Sequence, residues 1–266
     1  MVTGTSELGL LEDGLRKTML AKSGPELDTA LAELGWAEML TDMPDVAVPM
    51  VFRLLGETGS HASVLVDVVL HATGNEIGDN VELPLPYAGN GWVVWDRTGG
   101  AGTALGGLPL RREEEGYPIR VAEARMAVGW WLVGSARAML SLARRHALDR
   151  VQFGKPIATF QAVRHRLAET LVAIEGAEAT LALPGVDNPD LTALLAKAAA
   201  GKAALTSARH CQQVLGGIGF TDEHDLGRHV KRVLVLDGLL GSSKELTRKA
   251  GSGLRARGSA PRLAQL

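Results

Sequence analysis

Along the second half of the chain, apolar residues recur at intervals of three and four. Met126, Trp130, Val133, Ala136, Leu140, Ala143 and Ala147 make one stripe, and Val163, Leu167, Leu171, Ile174 and Leu181 a second. Both stripes predict amphipathic helices. Leu183-Pro184-Gly185 ends the second, Asp187-Asn188-Pro189-Asp190 supplies a turn and a cap, and the Ala-rich run 191–215 predicts a third helix. Gly216-Gly217-Ile218-Gly219 closes that helix. A fourth helical segment is expected over about 227–249, carrying Val230, Val233, Leu234 and Leu240. Four antiparallel helices with short links are what a bundle requires. Trp130-Trp131 reads as core plus interface packing.

Before residue 119 the pattern is broken into shorter pieces. Ser6-Glu7 ahead of Leu8, and Asp28 ahead of Leu31 and Leu34, read as helix starts. Gly35-Trp36 follows, then a turn at Thr41-Asp42-Met43-Pro44-Asp45. Two further helices are expected over 48–55 and 61–71, with Gly56 and Gly59 between them. His61 and His71 have no carboxylate neighbours at ligand spacing and read as surface or satisfied core histidines. Over 74–118 glycines and prolines break the helical pattern, leaving Val81-Glu82-Leu83-Pro84-Leu85-Pro86 and Trp92-Val93-Val94-Trp95 as short extended segments. Gly99-Gly100-Ala101-Gly102 with Gly106-Gly107 lacks the Lys-Ser/Thr of a phosphate loop and reads as a flexible loop. The charge run 111–115 reads as a solvated face. The chain is therefore expected to be mainly α: a helical subdomain over 1–73, a reduced β or irregular segment over 74–118, a four-helix bundle over 119–256 and a tail over 257–266.

Two of these helices meet at one corner, 149–161. Gly154 permits a tight backbone and Pro156 keeps Lys155 out of helical angles, so a helix ends near Arg150 and another starts near Ala158. A cation at a helix C-terminus complements the helix dipole. An arginine fixed beside an amide and an aromatic, Gln152 and Phe153, can also grip a phosphate through two parallel hydrogen bonds.

Composition narrows the classes. The chain has 266 residues, 46% of them hydrophobic, and a net charge of −2. That balance leaves no broad basic footprint, so neither nucleic acid nor an anionic membrane is expected as a partner. The basic residues from Arg248 to Arg262 read as a solvated end. Cys211 is the one cysteine, which excludes an intramolecular disulfide and a cysteine metal cluster and fits a reducing compartment. The first eleven residues lack a charged head followed by an apolar core, and no apolar run is expected to reach the roughly 18 residues of a membrane span. A cytoplasmic protein is expected.

Arg150-Val-Gln152-Phe153-Gly154-Lys-Pro-Ile157 with Phe160-Gln161, followed by Gln213-Val-Leu-Gly216-Gly217-Ile-Gly219-Phe220, resembles the C-terminal bundle of acyl-CoA dehydrogenases over roughly 119–250. Leu31-Ala-Glu-Leu-Gly35-Trp36 resembles that family's N-terminal helical domain more weakly. The resemblance implies helices, a small β domain and a four-helix bundle, with FAD lying across a subunit interface. It implies that Arg150 and Phe153, with Gln152 between them, face the cofactor's pyrophosphate and adenine end. Gln213, Gly216 and Gly217 would approach the same cofactor from a neighbouring subunit. An arginine fork and close backbone N–H groups suit a pyrophosphate, while glycines also simply terminate helices.

The departures from the family matter equally. Residues 74–118 are too short for its middle β domain, so the flavin ring is not expected to be held by this chain alone. The family's base is a glutamate. Aligning Asp237-Gly238 with the family's Glu-Gly makes Asp237 a shortened base, whereas aligning Gly241-Ser242 with its Gly-Thr puts Leu240 there and removes the base. The second register keeps the spacing from Gly217. Glu123 lies one residue off an alternative base position used by some relatives.

Taken together the resemblance points to a short subunit of the α2β2 type that degrades steroid side chains, a likeness that includes the Gly-Ile-Gly-Phe-Thr-Asp-Glu-His run at 217–224. It implies a paralogous partner chain, FAD shared with that partner, an acyl-CoA substrate oxidised to the 2,3-enoyl-CoA, and an electron-transfer flavoprotein as oxidant. A homo-oligomeric dehydrogenase using Asp237 and a non-enzymatic scaffold with the same fold are the alternatives.

Overall fold

A computed structural model of the protein describes residues 3–87, 91–98, 105–117, 119–183 and 188–259. The Gly99-Gly100-Ala101-Gly102 run, Pro184-Gly185, Asp187 and most of the tail lie outside the described residues. The N-terminal part contains α1 (Thr3–Ala21), α2 (Pro25–Glu33), α3 (Trp36–Asp42), α4 (Pro44–Thr58) and α5 (Val64–Thr73). The predicted starts are right in kind but late: α1 already runs from Thr3 rather than Ser6. The turn at 41–45 shrinks to Met43, because Pro44 occupies the first position of α4, where its missing N–H is no loss.

Three short strands follow, β1 (Glu82–Pro84), β2 (Trp92–Trp95) and β3 (Leu110–Glu113), antiparallel in that order. Leu83, Val93 and Leu110 bury completely against the helices. Gly106 and Gly107, read from sequence as part of a flexible loop, instead make a defined turn with φ of 60° and 77°. A Cβ at Gly106 would collide with the carbonyl of Lys231 and the side chain of Val235.

The bundle consists of α6 (Ala122–Asp149), α7 (Gln161–Leu181), α8 (Pro189–Leu215) and α9 (Leu226–Gly238), with α10 (Ser243–Arg257) packed on α8. Asn188 caps α8, accepting from the Leu191 N–H at 3.0 Å. The single fourth helix expected over 227–249 is two helices. Leu240 and Gly241 take positive φ, 63° and 102°, and Ser242 with Glu245 forms a reciprocal capping box that starts α10.

The stripe assigned to α7 is also displaced. Thr170, Ile174, Ala177 and Leu181 are its buried residues, while Leu171 is exposed. On α6, Trp131 is fully buried and Trp130 only partly. By length and composition alone α6 could cross a membrane, against the expectation that no apolar run reaches span length, but most of its apolar stretch is buried inside the protein. Its apolar residues pack against α4, α7, α8 and α9.

One close crossing ties the N-terminal helices to the bundle. A Cβ at Gly56 of α4 would collide with backbone atoms of Trp131 and Ser135, and a Cβ at Gly134 of α6 with the carbonyl of Arg53. Backbones can touch only where both side chains are missing. Beside this contact an aromatic chain runs Trp36–Phe52–Trp131–Trp95, with ring centroids 6.5, 5.9 and 6.2 Å apart. The chain therefore links the first helices, the bundle and the small sheet through one continuous core.

Candidate functional site

The direction of the long helices locates the candidate residues. Arg125, in the first turn of α6, donates to the Leu240 carbonyl at 3.0 Å, and Lys197, near the start of α8, donates to the Gly241 carbonyl at 2.7 Å. The N-terminal parts of α6 and α8 thus share the turn at 239–242, and the two helices run parallel away from it. At a rise of about 1.5 Å per residue, Arg150 stands roughly 38 Å and Gln213 roughly 24 Å along their helices from that turn. Arg150, Gln152, Phe153, Gln213, Gly216 and Gly217 accordingly lie towards the end to which both helices run, Arg150 about 14 Å further along than Gln213, and Asp237 and Leu240 lie at the turn.

At the first end, Arg150 caps α6 in an extended conformation. Its N–H donates to the His146 carbonyl at 2.9 Å and its carbonyl accepts from the Ile157 N–H at 2.9 Å. Its guanidinium is exposed and makes no hydrogen bond or ion pair among the described residues. The following residues form a minimal hairpin in which Val151 pairs with Pro156 and Gln152 with Lys155. Its two turn residues, Phe153 and Gly154, have φ of 52° and 79°, the signs a two-residue hairpin turn demands.

Glycine meets that demand freely. Phenylalanine does not, and strain of about 1–3 kcal/mol stored in a non-glycine left-handed residue is a mark of constrained, functional backbone. The Phe153 side chain is 92% exposed. It meets the Phe160 ring edge-on at 6.1 Å, and Lys155 Nζ lies 4.9 Å from the centre of the same ring. Gln152 folds back onto its own strand, its Nε2 donating to the Val151 carbonyl at 2.8 Å.

On α8, Gln213 is exposed and has no partner among the described residues. The neighbouring Gln212 does the capping, donating to the Gly219 carbonyl at 3.4 Å. A Cβ at Gly216 or Gly217 would meet nothing within 4 Å, so their backbone is open to close approach by another molecule. Phe220, just beyond, is 68% exposed. This end of the bundle therefore offers an unpaired guanidinium, a free amide, open backbone and two projecting rings.

The other end is closed. Leu240 is buried, its N–H donating to the Pro84 carbonyl at 2.7 Å. Tyr87 lays its ring against Gly238 and its hydroxyl donates to the Leu234 and Val235 carbonyls at 3.1 Å each. Asp237 is buried, and its Oδ1 accepts the Ser243 N–H at 3.1 Å at the start of α10. A Cβ at Gly201 would collide with that oxygen. Lys197 is fully buried and donates to the Asp237 carbonyl at 2.8 Å as well as to Gly241. Burial pulls its pKa down to about 7, against the opposing attraction of Asp237. Glu123, exposed, pairs with Arg120 at 3.5 Å and lines a separate cleft of about 710 Å3 alongside His71 and Trp130.

Sequence reasoning passed over Lys197 and Arg125, the two cations that fix this turn. Lys197 had a signal: it falls in phase with the buried Ala193, Ala200 and Ala204 on an otherwise apolar stripe. Among the described residues no cluster of His, Cys, Asp or Glu could hold a metal ion.

Residues 120–251 match the acyl-CoA dehydrogenase C-terminal domain. A stretch of 120 residues is 38% identical to an acyl-CoA dehydrogenase of Mycobacterium tuberculosis, IpdE2, covering 45% of this chain and 38% of that protein. The chain thus spans well under two thirds of the length of the curated relatives it matches. Several solved structures match nearly end to end, two of them as follows. One is a variant of the steroid ACAD Tcur3481–Tcur3483, with a TM-score of 0.68 and 19% identity over 96% of this chain and 99% of that one. The other is the ChsE4–ChsE5 complex of Mycobacterium tuberculosis, with a TM-score of 0.65 and 18% identity over 98% and 99%. At such identities the likeness is one of fold.

Proposed function

Through residues 120–251 the chain belongs to the acyl-CoA dehydrogenase family, and from that premise we propose that it is one subunit of a two-chain, flavin-dependent dehydrogenase that converts an acyl-CoA to the 2,3-enoyl-CoA. The observation that carries this reading is the contrast between the two ends of the bundle. The end with Arg150, Gln213 and the open Gly216-Gly217 backbone fits the pyrophosphate and adenine end of FAD, with Gln213 and the glycines supplied by the same chain as Arg150 and not by a neighbouring subunit. Arg150 would supply two parallel donors and one positive charge to the diphosphate, and Phe153 a face or edge for the adenine. The turn at 239–242 lies too far along the helices for one extended dinucleotide to reach both ends, so the flavin ring would rest on another chain.

FAD would supply the hydride acceptor. This chain's residues would orient it and hold its phosphates, and the proton would be taken from the substrate by a carboxylate of the partner. Leu240 at the turn has no proton to exchange, and Asp237 is occupied with the start of α10. The end-to-end likeness in fold to chains of a named two-chain complex and of a steroid ACAD supports a paralogous partner, and a steroid side-chain thioester is the substrate class that the resemblance in sequence implies. An electron-transfer flavoprotein would reoxidise the flavin, and the assembly would work in the cytoplasm.

Co-expression with a second acyl-CoA dehydrogenase-family chain from the same genome should yield a complex with flavin absorbance and acyl-CoA oxidation, and the isolated chain should show neither. A flavin-replete, active homomer would refute the two-chain reading. Asp237→Asn should keep turnover in the complex; lost turnover with flavin retained would instead favour the homo-oligomeric enzyme with Asp237 as its base. Absence of flavin under every pairing would leave the scaffold reading.

A further inference from the structure

A polar cavity of about 500 Å3 lies on the flank of the bundle between α1, α4, α6 and α9, and Arg150 is not among its lining residues. Arginines converge on it from three helices: Arg16, Arg137, Arg145 and Arg228. Two of them are already matched. Arg16 pairs with Glu12 at 3.1 Å and Glu57 at 2.6 Å, and Arg137 with Glu175 and Glu178. The other two are not saturated. Arg145 is exposed and makes no hydrogen bond or ion pair among the described residues, while the nearest carboxylate to Arg228 is Asp225 at 3.7 Å. Arg228 is packed over Gly59, where a Cβ would come within 3.0 Å of its guanidinium.

Glu57 and Asp225 also line the cavity, and of the two buried side chains beside it only Arg232 adds positive charge, since burial and the neighbouring guanidiniums keep His229 neutral. His229, 3% exposed, lines the cavity and its Nδ1 has no hydrogen-bond partner. Arg232, also 3% exposed, spends its donors on the carbonyls of Gly59, Ser60 and Gly107 and has no carboxylate partner among the described residues. A buried cation held only by carbonyls leaves its charge uncompensated. Burial and the neighbouring Arg228 both lower the pKa of Arg232, and burial with Arg228 and Arg232 lowers that of His229. An anion in the cavity would relieve this field. The size exceeds a single phosphate, and Leu20 and Leu142 give the cavity an apolar wall beside the Ser141 hydroxyl.

We propose that this cavity binds a phosphate-bearing small molecule, with Arg145 and Arg228 gripping the phosphoryl oxygens, His229 and Ser141 completing the polar wall, and Leu20 and Leu142 covering the apolar part. The site is independent of the flavin reading. Calorimetric titration of the full chain, in the complex in which it is isolated, with ADP and with inorganic phosphate at low ionic strength tests it. Saturable binding of one equivalent per chain is expected, weakened at least tenfold by Arg145→Gln combined with Arg228→Gln and unchanged by Arg150→Gln. Tighter binding of ADP than of phosphate assigns a nucleotide, and equal affinity assigns the free anion. The melting temperature of the double variant controls for folding, since both side chains reach solvent. No saturable binding of either probe, binding that survives the double variant, or binding lost with Arg150→Gln alone overturns the proposal.

Discussion

The two ends of the helical bundle use similar residue types for opposite purposes. At the 239–242 turn, two cations, Arg125 and Lys197, are consumed by backbone carbonyls, and Tyr87 and the strand residue Pro84 cover what remains. At the hairpin end, the cation Arg150 and the amide Gln213 have no partner among the described residues, and Phe153 holds a left-handed φ that a glycine would take without strain. Polar groups satisfied inside the chain stabilise the fold. Polar groups left unsatisfied beside strained, exposed backbone are available to a ligand.

That contrast can be broken at the closed end first. Lys197→Ala removes the donor to two carbonyls and leaves a cavity in the bundle, so denaturant unfolding should show a loss of about 3–5 kcal/mol. A loss below 1 kcal/mol would mean the turn does not depend on Lys197. The same residue sets a pH dependence. Its folded pKa, about 7, lies below the ordinary 10.5, so between those values the unfolded chain binds more protons and stability should rise with pH from about 7 to about 10.5. Lys197→Met should abolish that rise; an unchanged pH profile in the variant would assign it elsewhere.

The open end should respond in affinity rather than stability. Arg150→Ala should weaken flavin retention by the complex by about 1.5–3 kcal/mol, roughly ten- to a hundred-fold, while unfolding free energy stays within about 0.5 kcal/mol of the parent. An equal loss of stability would place Arg150 among the structural groups. The smallest effect is the sharpest discriminator. Phe153→Gly should stabilise the chain by up to about 1 kcal/mol by relieving the left-handed phenylalanine, and at the same time reduce flavin retention. Destabilisation would show that the ring packs for the fold.

Much of the helical part was legible because periodicity and caps are local. The α6 stripe, the stop at Arg150 and the Asn188 cap follow from neighbouring residues. The split between α9 and α10 was also written locally, in Gly241-Ser242 with Glu245 three residues on, but it was masked by the apolar run that precedes it. The α7 stripe misled because Leu171 is apolar yet exposed, while Thr170 is polar yet buried, its hydroxyl within 2.9 Å of His210 Nδ1. Of the candidate site, the sequence placed Arg150 at a helix end and glycines at another. It contained no indication that Phe153 would be strained, or that Gln212 rather than Gln213 would serve the helix end.

The sequence by itself determined the run of long helices, the corner between α6 and α7 and the likeness to one family, since each depends on residues within a few turns of one another. Tertiary structure decided which cations are spent and which are free. The parallel course of α6 and α8 carries Arg125 and Lys197 onto carbonyls forty or more positions away in the chain and carries Arg150 and Gln213 towards the opposite end. A guanidinium has the same chemistry in either place; only the distant backbone brought beside it sets whether it closes a fold or waits for a phosphate.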